Sequence, residues 1–221
     1  MYSLFSKQTQ DYTHSTTKGF TMLELVVSVG IMLGIISMVL SNQNTYTEGA
    51  SLKNLANDIG LSLRQAQIYG ISVKALPNTE DFTGAFGIDF NLTSGSGNNT
   101  MYLFFADRGV QDGYYNYTGD WAGCPTGGTS ECLQKMTTST GNIISSLCPI
   151  NNGGVSVCEE GVVRANITFL RPETSANIVL FVSNGGQIPT TSYKGVEINL
   201  ASVSGGTRSV RVYDTGQISV N

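Results

Sequence analysis

Residues 20–40 read FTMLELVVSVGIMLGIISMVL, and the fold turns on this stretch. Within it Glu24 is the one ionisable side chain. At ~1.5 Å per residue a helix of this length spans a ~30 Å hydrocarbon layer. The polar residues 1–19 before it carry Lys7, Lys18 and Asp11, a net of 2 − 1 = +1. A positive flank predicts that this end stays in the cytoplasm and that the remainder lies outside. After Leu40 the chain reads SNQNTYTEGA, with no Ala-x-Ala cleavage site of the secretory type. A carboxylate in hydrocarbon is costly unless a cation meets it, so Glu24 is a candidate functional residue in need of a partner. Gly30 and Gly34 form a Gly-x-x-x-Gly pair with Ser37 three residues on, a surface that lets neighbouring helices approach closely.

Beyond the apolar run, Leu52, Leu55, Ala56, Ile59, Leu63 and Ala66 recur at helical spacing, with Glu48, Lys53, Asp58 and Arg64 mainly between them. This predicts an amphipathic helix from Ala50 to Tyr69. With the apolar part it makes one helix of roughly 50 residues, about 75 Å long. Its apolar stripe calls for a sheet to cover it. After Gly70 the period changes. Strands are expected at Ala85–Phe90, Met101–Ala106, Arg164–Leu170, Asn177–Ser183, Gly195–Leu200, Ser209–Tyr213 and Gln217–Val220, separated by Gly, Asn, Asp, Ser and Thr clusters. The expected class is α+β: a long N-terminal helix packed on a mostly antiparallel β head at residues 71–221.

Composition narrows the function. The charged fraction of 13% and the net charge of −4 exclude a strongly basic nucleic-acid-coating protein. His14 is the one histidine. If residues 1–19 are removed, no imidazole remains for a Ser-His-Asp triad, a Cys-His pair or a metal site. The cysteines are Cys124, Cys132, Cys148 and Cys158, with no Cys-x-x-Cys pair. That favours two disulfides in an oxidising compartment. Proximity in sequence favours Cys124–Cys132 and Cys148–Cys158, although four cysteines allow three connectivities.

The stretch Lys18-Gly19-Phe20-Thr21-Met22-Leu23-Glu24-Leu25, followed by the apolar run, resembles the processing motif of type IV prepilins and type II secretion pseudopilins. The resemblance implies that residues 1–19 are a leader, cut by a prepilin peptidase between Gly19 and Phe20, and that Phe20 becomes a methylated N-terminus. It implies that Glu24 pairs with the N-terminal amine of a neighbouring subunit and so sets the axial register of assembly. It also implies a pilin-like fold, with residues 20–70 as the long helix. Partners would be the peptidase, other pilin or pseudopilin subunits, an inner-membrane assembly platform and membrane lipid. The location would be a single-pass segment in the bacterial inner membrane, then a pilus or pseudopilus. No catalytic residue, no enzyme activity and no cofactor are implied. Many members carry a proline after the apolar run; Ser41-Asn42 stand there instead, so a helix kink is not expected from sequence. Leu63-Arg64-Gln65-Ala66-Gln67, Ile167–Pro172 and Ser209–Val212 with Gly216-Gln217-Ile218 are similar to the H-type minor pseudopilins and their FimT-like relatives. Residues 107–160 fit none of these patterns and read as a Cys-containing insertion.

The head is open to two alternatives. Asp107, Asp112 and Asp120 lie in a Gly-rich stretch that could offer oxygen ligands to calcium, without the EF-hand spacing. Arg164, Arg171, Lys194, Arg208 and Arg211 make the C-terminal part the most basic, as a DNA-binding pilin of an uptake system would need. Glu160, Glu173, Glu197 and Asp214 reduce residues 160–221 to 5 − 4 = +1, which argues against nucleic acid.

Overall fold

The computed structural model describes residues 19–72, 84–93, 98–108, 110–116, 124, 131–138, 141–159 and 161–221, with the side chains of 41–46 outside the description. Residues 1–18, with Lys18 and His14, and Asp120 fall outside it. Contacts divide the chain into two compact units, Met1–Asn44 and Thr45–Asn221.

One helix, α1, runs from Met22 to Ile71 and continues through Ser41 and Asn42. In the first unit its segment Met22–Leu40 is long and apolar enough to cross a membrane, and none of it is buried. In the second unit the stripe read from sequence is the buried one: Leu52, Leu55, Ala56, Ile59, Leu63 and Ala66 are almost fully covered.

The covering layer is two antiparallel sheets. The first has the order β3-β2-β1-β5-β6, from Cys132–Thr137, Met101–Asp107, Ala85–Asn91, Val162–Phe169 and Ala176–Val182. The second has the order β4-β7-β8-β9, from Asn142–Asn151, Tyr193–Ser202, Thr207–Tyr213 and Ile218–Val220. Side chains of both sheets and of α1 belong to a single core, with Phe86, Ile88, Phe90 and Ile167 from one sheet and Val196, Ile198, Val210 and Val212 from the other. The molecule is therefore α+β. The far end of the helix is fastened by Gln67, whose amide donates to the carbonyls of Thr174 (3.0 Å) and Gly216 (3.1 Å).

The stretch 107–160, expected as an insertion, is the source of β3 and β4. One extends the first sheet and the other the second, and Ile144 and Leu147 of β4 enter the common core. The link between them is short. The Thr138 hydroxyl donates to Asn142 O at 2.7 Å, and the Thr138 and Ile144 amides both reach the β1–β2 turn, at Thr100 O and Asn99 O. β1 is buried along its whole length because its second face is covered too. A smaller cluster of Leu103, Phe105, Tyr115, Cys124 and Cys132 packs there.

Candidate functional site

The start of α1 carries the residues that the sequence singles out. Gly19, Phe20 and Glu24 are all exposed. Thr21 caps the helix: its hydroxyl accepts from the Glu24 amide at 3.3 Å, and its carbonyl takes the first helical hydrogen bonds from Glu24 and Leu25 at 3.1 Å. Thr21-x-x-Glu24 has the spacing of a capping box, and a carboxylate in the first turn is favoured by the helix dipole. Thr21's part was missed by sequence reading, although the Thr-x-x-Glu spacing was there to find it. Gly30 and Gly34 face open space: a methyl built on either would meet nothing within 4 Å. Ser28 and Ser37 turn their hydroxyls back onto the carbonyls of Glu24 and Leu33, so polar groups in this segment are satisfied within the helix. The result is an apolar rod with one free carboxylate side chain at its head and a pair of small residues on its flank.

The head carries a second concentration of chemistry, on the outer face of the first sheet. Asp89 is fully buried, and Arg164 meets it at 2.8 Å. The same guanidinium donates to Tyr115 O at 2.6 Å and lies 5.4 Å from the centre of the Phe181 ring. Asn166 Oδ1 accepts from the Tyr115 amide, and Asp107 Oδ2 accepts from the Gly113 amide, both at 2.9 Å. Glu131 accepts from the amides of Asn116 (2.5 Å) and Arg108 (3.3 Å). Burial pushes Asp107 up to about 6, and the neighbouring Asp112 adds to the rise against the Gly113 hydrogen bond. Burial likewise pushes Glu131 up to about 7, despite the amides that it accepts from.

This arrangement fastens residues 110–116 to the sheet. The carboxylates of Asp107, Asp112 and Glu131 are aimed at N–H groups, which is not the way ligands surround a cation. Among the described residues no group of three or more His, Cys, Asp or Glu side chains is placed to hold a metal ion. Both pairings favoured by sequence proximity are present: Cys124–Cys132 with Cα atoms 5.8 Å apart, and Cys148–Cys158 at 4.4 Å. Of the five C-terminal cations, two are paired: Arg164 turns inward to Asp89, and Arg211 meets Glu197 at 2.9 Å with its own side chain still exposed. Tyr115 is core and Tyr114 packs edge-on against Phe181; Tyr117 and Trp121 lie outside the described residues.

The chain matches no protein-family model, no curated protein and no solved structure.

Proposed function

We propose that this chain is a structural subunit of a type IV pilus or type II secretion pseudopilus, of the H-type minor pseudopilin kind. The observation that carries the reading is the head of α1: a Thr21-capped helix start, with Glu24 as the lone charge, opening an apolar segment of which every residue is exposed. Such a surface needs lipid around it, and later other helices. Prepilin peptidase cuts between Gly19 and Phe20 and methylates the new terminus. The Phe20 amine of one subunit then neutralises Glu24 of the next as the helices leave the lipid. Gly30 and Gly34 let the helices close on one another. The subunit acts by polymerising, with peptidase, sister subunits and assembly platform as partners, and uses no catalytic residue or cofactor. The DNA-uptake reading has less support, since Arg164 is engaged inside the head with Asp89 and the charge of Arg211 is met by Glu197.

Mass spectrometry of the chain from cells holding the peptidase should find a methylated Phe20 at the N-terminus. A chain that still begins at Met1 would sink the reading. Glu24→Ala should leave cleavage intact and cut incorporation into filaments at least about tenfold; undiminished incorporation would remove Glu24 from the mechanism.

A further inference from the structure

The two disulfides differ in what they show to solvent. Cys124 and Cys132 are both buried, at 9% and 4% exposure. Cys148 is fully buried, whereas its partner Cys158 is exposed. One cysteine of this bridge therefore lies where a reagent can reach it, and the other lies inside. The inner sulfur is also the one with donors. Asn199 Nδ2, from β7, donates to Cys148 Sγ at 3.2 Å and is 3.9 Å from Cys158 Sγ. The same amide donates to Ser146 Oγ at 3.1 Å, and that hydroxyl stands 3.6 Å from Cys148 Sγ. Glu197 is opposite Cys148 in the ladder, where Arg211 meets its carboxylate at 2.9 Å and offsets its charge. The hairpin that leads to Cys158 has fastenings besides the bridge. The Asn151 amide donates to Val155 O at 2.9 Å and the Val157 amide to Pro149 O at 2.8 Å. Asn151 Oδ1 accepts from the Val155 amide at 3.0 Å, and Asn152 donates to Thr191 O at 3.0 Å. These bonds keep the two cysteines side by side when the bridge is open, so it closes again without a long search.

We propose that Cys148–Cys158 is a thiol–disulfide exchange site for a small soluble thiol, with Cys158 as the sulfur attacked and Cys148 as the leaving and resolving thiolate. The site does not rest on the assembly reading. An incoming thiolate, R–S⁻, bonds to Cys158 Sγ as the Sγ–Sγ bond breaks, and the electron pair leaves on Cys148 Sγ. The products are a mixed disulfide on Cys158 and a thiolate at Cys148. Burial works against that charge, and the N–H of Asn199 and the O–H of Ser146 work for it. The charge grows only as the bond breaks, so these donors act more strongly on the transition state than on the closed bridge. In reverse, the Cys148 thiolate attacks Cys158 Sγ and expels R–S⁻. A second R–SH attacking the mixed disulfide instead yields R–S–S–R and, with the protons of the two R–SH, leaves both cysteines as thiols. Burial shields Cys148 from direct attack, and it shields both cysteines of Cys124–Cys132.

The test mixes the oxidised full-length chain in detergent with reduced glutathione, quenches with N-ethylmaleimide at intervals and maps the cysteines by peptide mass spectrometry. Cys148–Cys158 should open at least about tenfold faster than Cys124–Cys132, with glutathione on Cys158 and maleimide on Cys148. Asn199→Leu should slow that opening about three- to tenfold, and Asn199→Asp should slow it further. The sign is diagnostic, because loss of an amide that merely braced the edge would speed opening. In a Cys148→Ser chain, glutathione disulfide should load Cys158. In a Cys158→Ser chain it should load Cys148 at least about tenfold more slowly. Earlier opening of Cys124–Cys132, glutathione on Cys148, equal loading of the two serine variants, or undiminished opening in Asn199→Leu would each overturn the proposal. So would a bridge that resists glutathione until denaturant unfolds the chain.

Discussion

Asp89 and Arg164 show how a buried charge is made tolerable. Asp89 has no exposure, and Arg164 is its counter-ion as well as a clasp on the Tyr115 carbonyl. Removing the cation leaves a carboxylate stranded in the interior, at a cost of about 3–5 kcal/mol. Arg164→Ala should therefore lower the Tm of the detergent-solubilised chain by more than about 6 °C, read by circular dichroism. Asp107 and Glu131 run the other way. Their folded-state pKa values of about 6 and about 7 lie above ordinary carboxyl values, so the folded chain holds protons that the unfolded chain releases. The stability that they contribute is full below about pH 4 and is lost as pH rises through 6 to 7. Tm should accordingly fall between pH 5 and pH 8 from these two groups. Asp107→Asn, which keeps an acceptor for the Gly113 amide, should flatten that slope; an unchanged slope would show that Asp107 does not titrate there. Sequence made Asp107 and Asp112 visible as a polar, Gly-rich stretch, but their purpose depends on the amides of Gly113 and Tyr114, which backbone folding alone brings to them.

At the scale of elements, the helix and seven strands were legible because their periods were clean. α1 declared itself through one uninterrupted apolar run and then a 3.6-residue stripe. β3 and β4 were not legible. β3 reads CLQKMT, and as an edge strand it needs little alternation: Gln134 and Lys135 stand at its middle. β4 reads NIISSLCPIN, with a register shift between Ile144 and Ser146 and a proline at position 149. Pro149 would bar a central strand, but β4 is the edge of its sheet, where a missing N–H is tolerated. Cys148–Cys158 braces this edge, and Asn199 donates to Cys148 Sγ at 3.2 Å. Replacing both cysteines by serine should cost about 2–3 kcal/mol, measured by denaturant unfolding, with a loss of under 1 kcal/mol showing that the brace is redundant. Close packing makes a sharper test within the first sheet. A methyl on Gly87 would lie 2.6 Å from the Ile167 carbonyl oxygen and 2.9 Å from Phe105, so Gly87→Ala should cost more than about 2 kcal/mol. Gly60→Ala should cost less, since its nearest neighbour is the side-chain tip of Val220.

For the whole molecule, the formal charge is −4 and would be −5 after the cleavage proposed above; Arg164 is committed internally and Arg211 is paired with Glu197. Duplex DNA titrated against the chain should give no salt-sensitive binding near 150 mM salt, the ionic strength at which the Debye length is about 8 Å. A steep salt slope would return the uptake reading to first place. The route of the backbone between the sheets has a mechanical meaning. The chain passes from the first sheet to the second between β3 and β4, returns between β4 and β5, and crosses again between β6 and β7. The sheets are thus sewn together by peptide bonds at three places, while the helix glues both from one side. If the two sheets of such a head part, three backbone crossings still tether them. A reductant that cut both disulfides would leave this stitching whole.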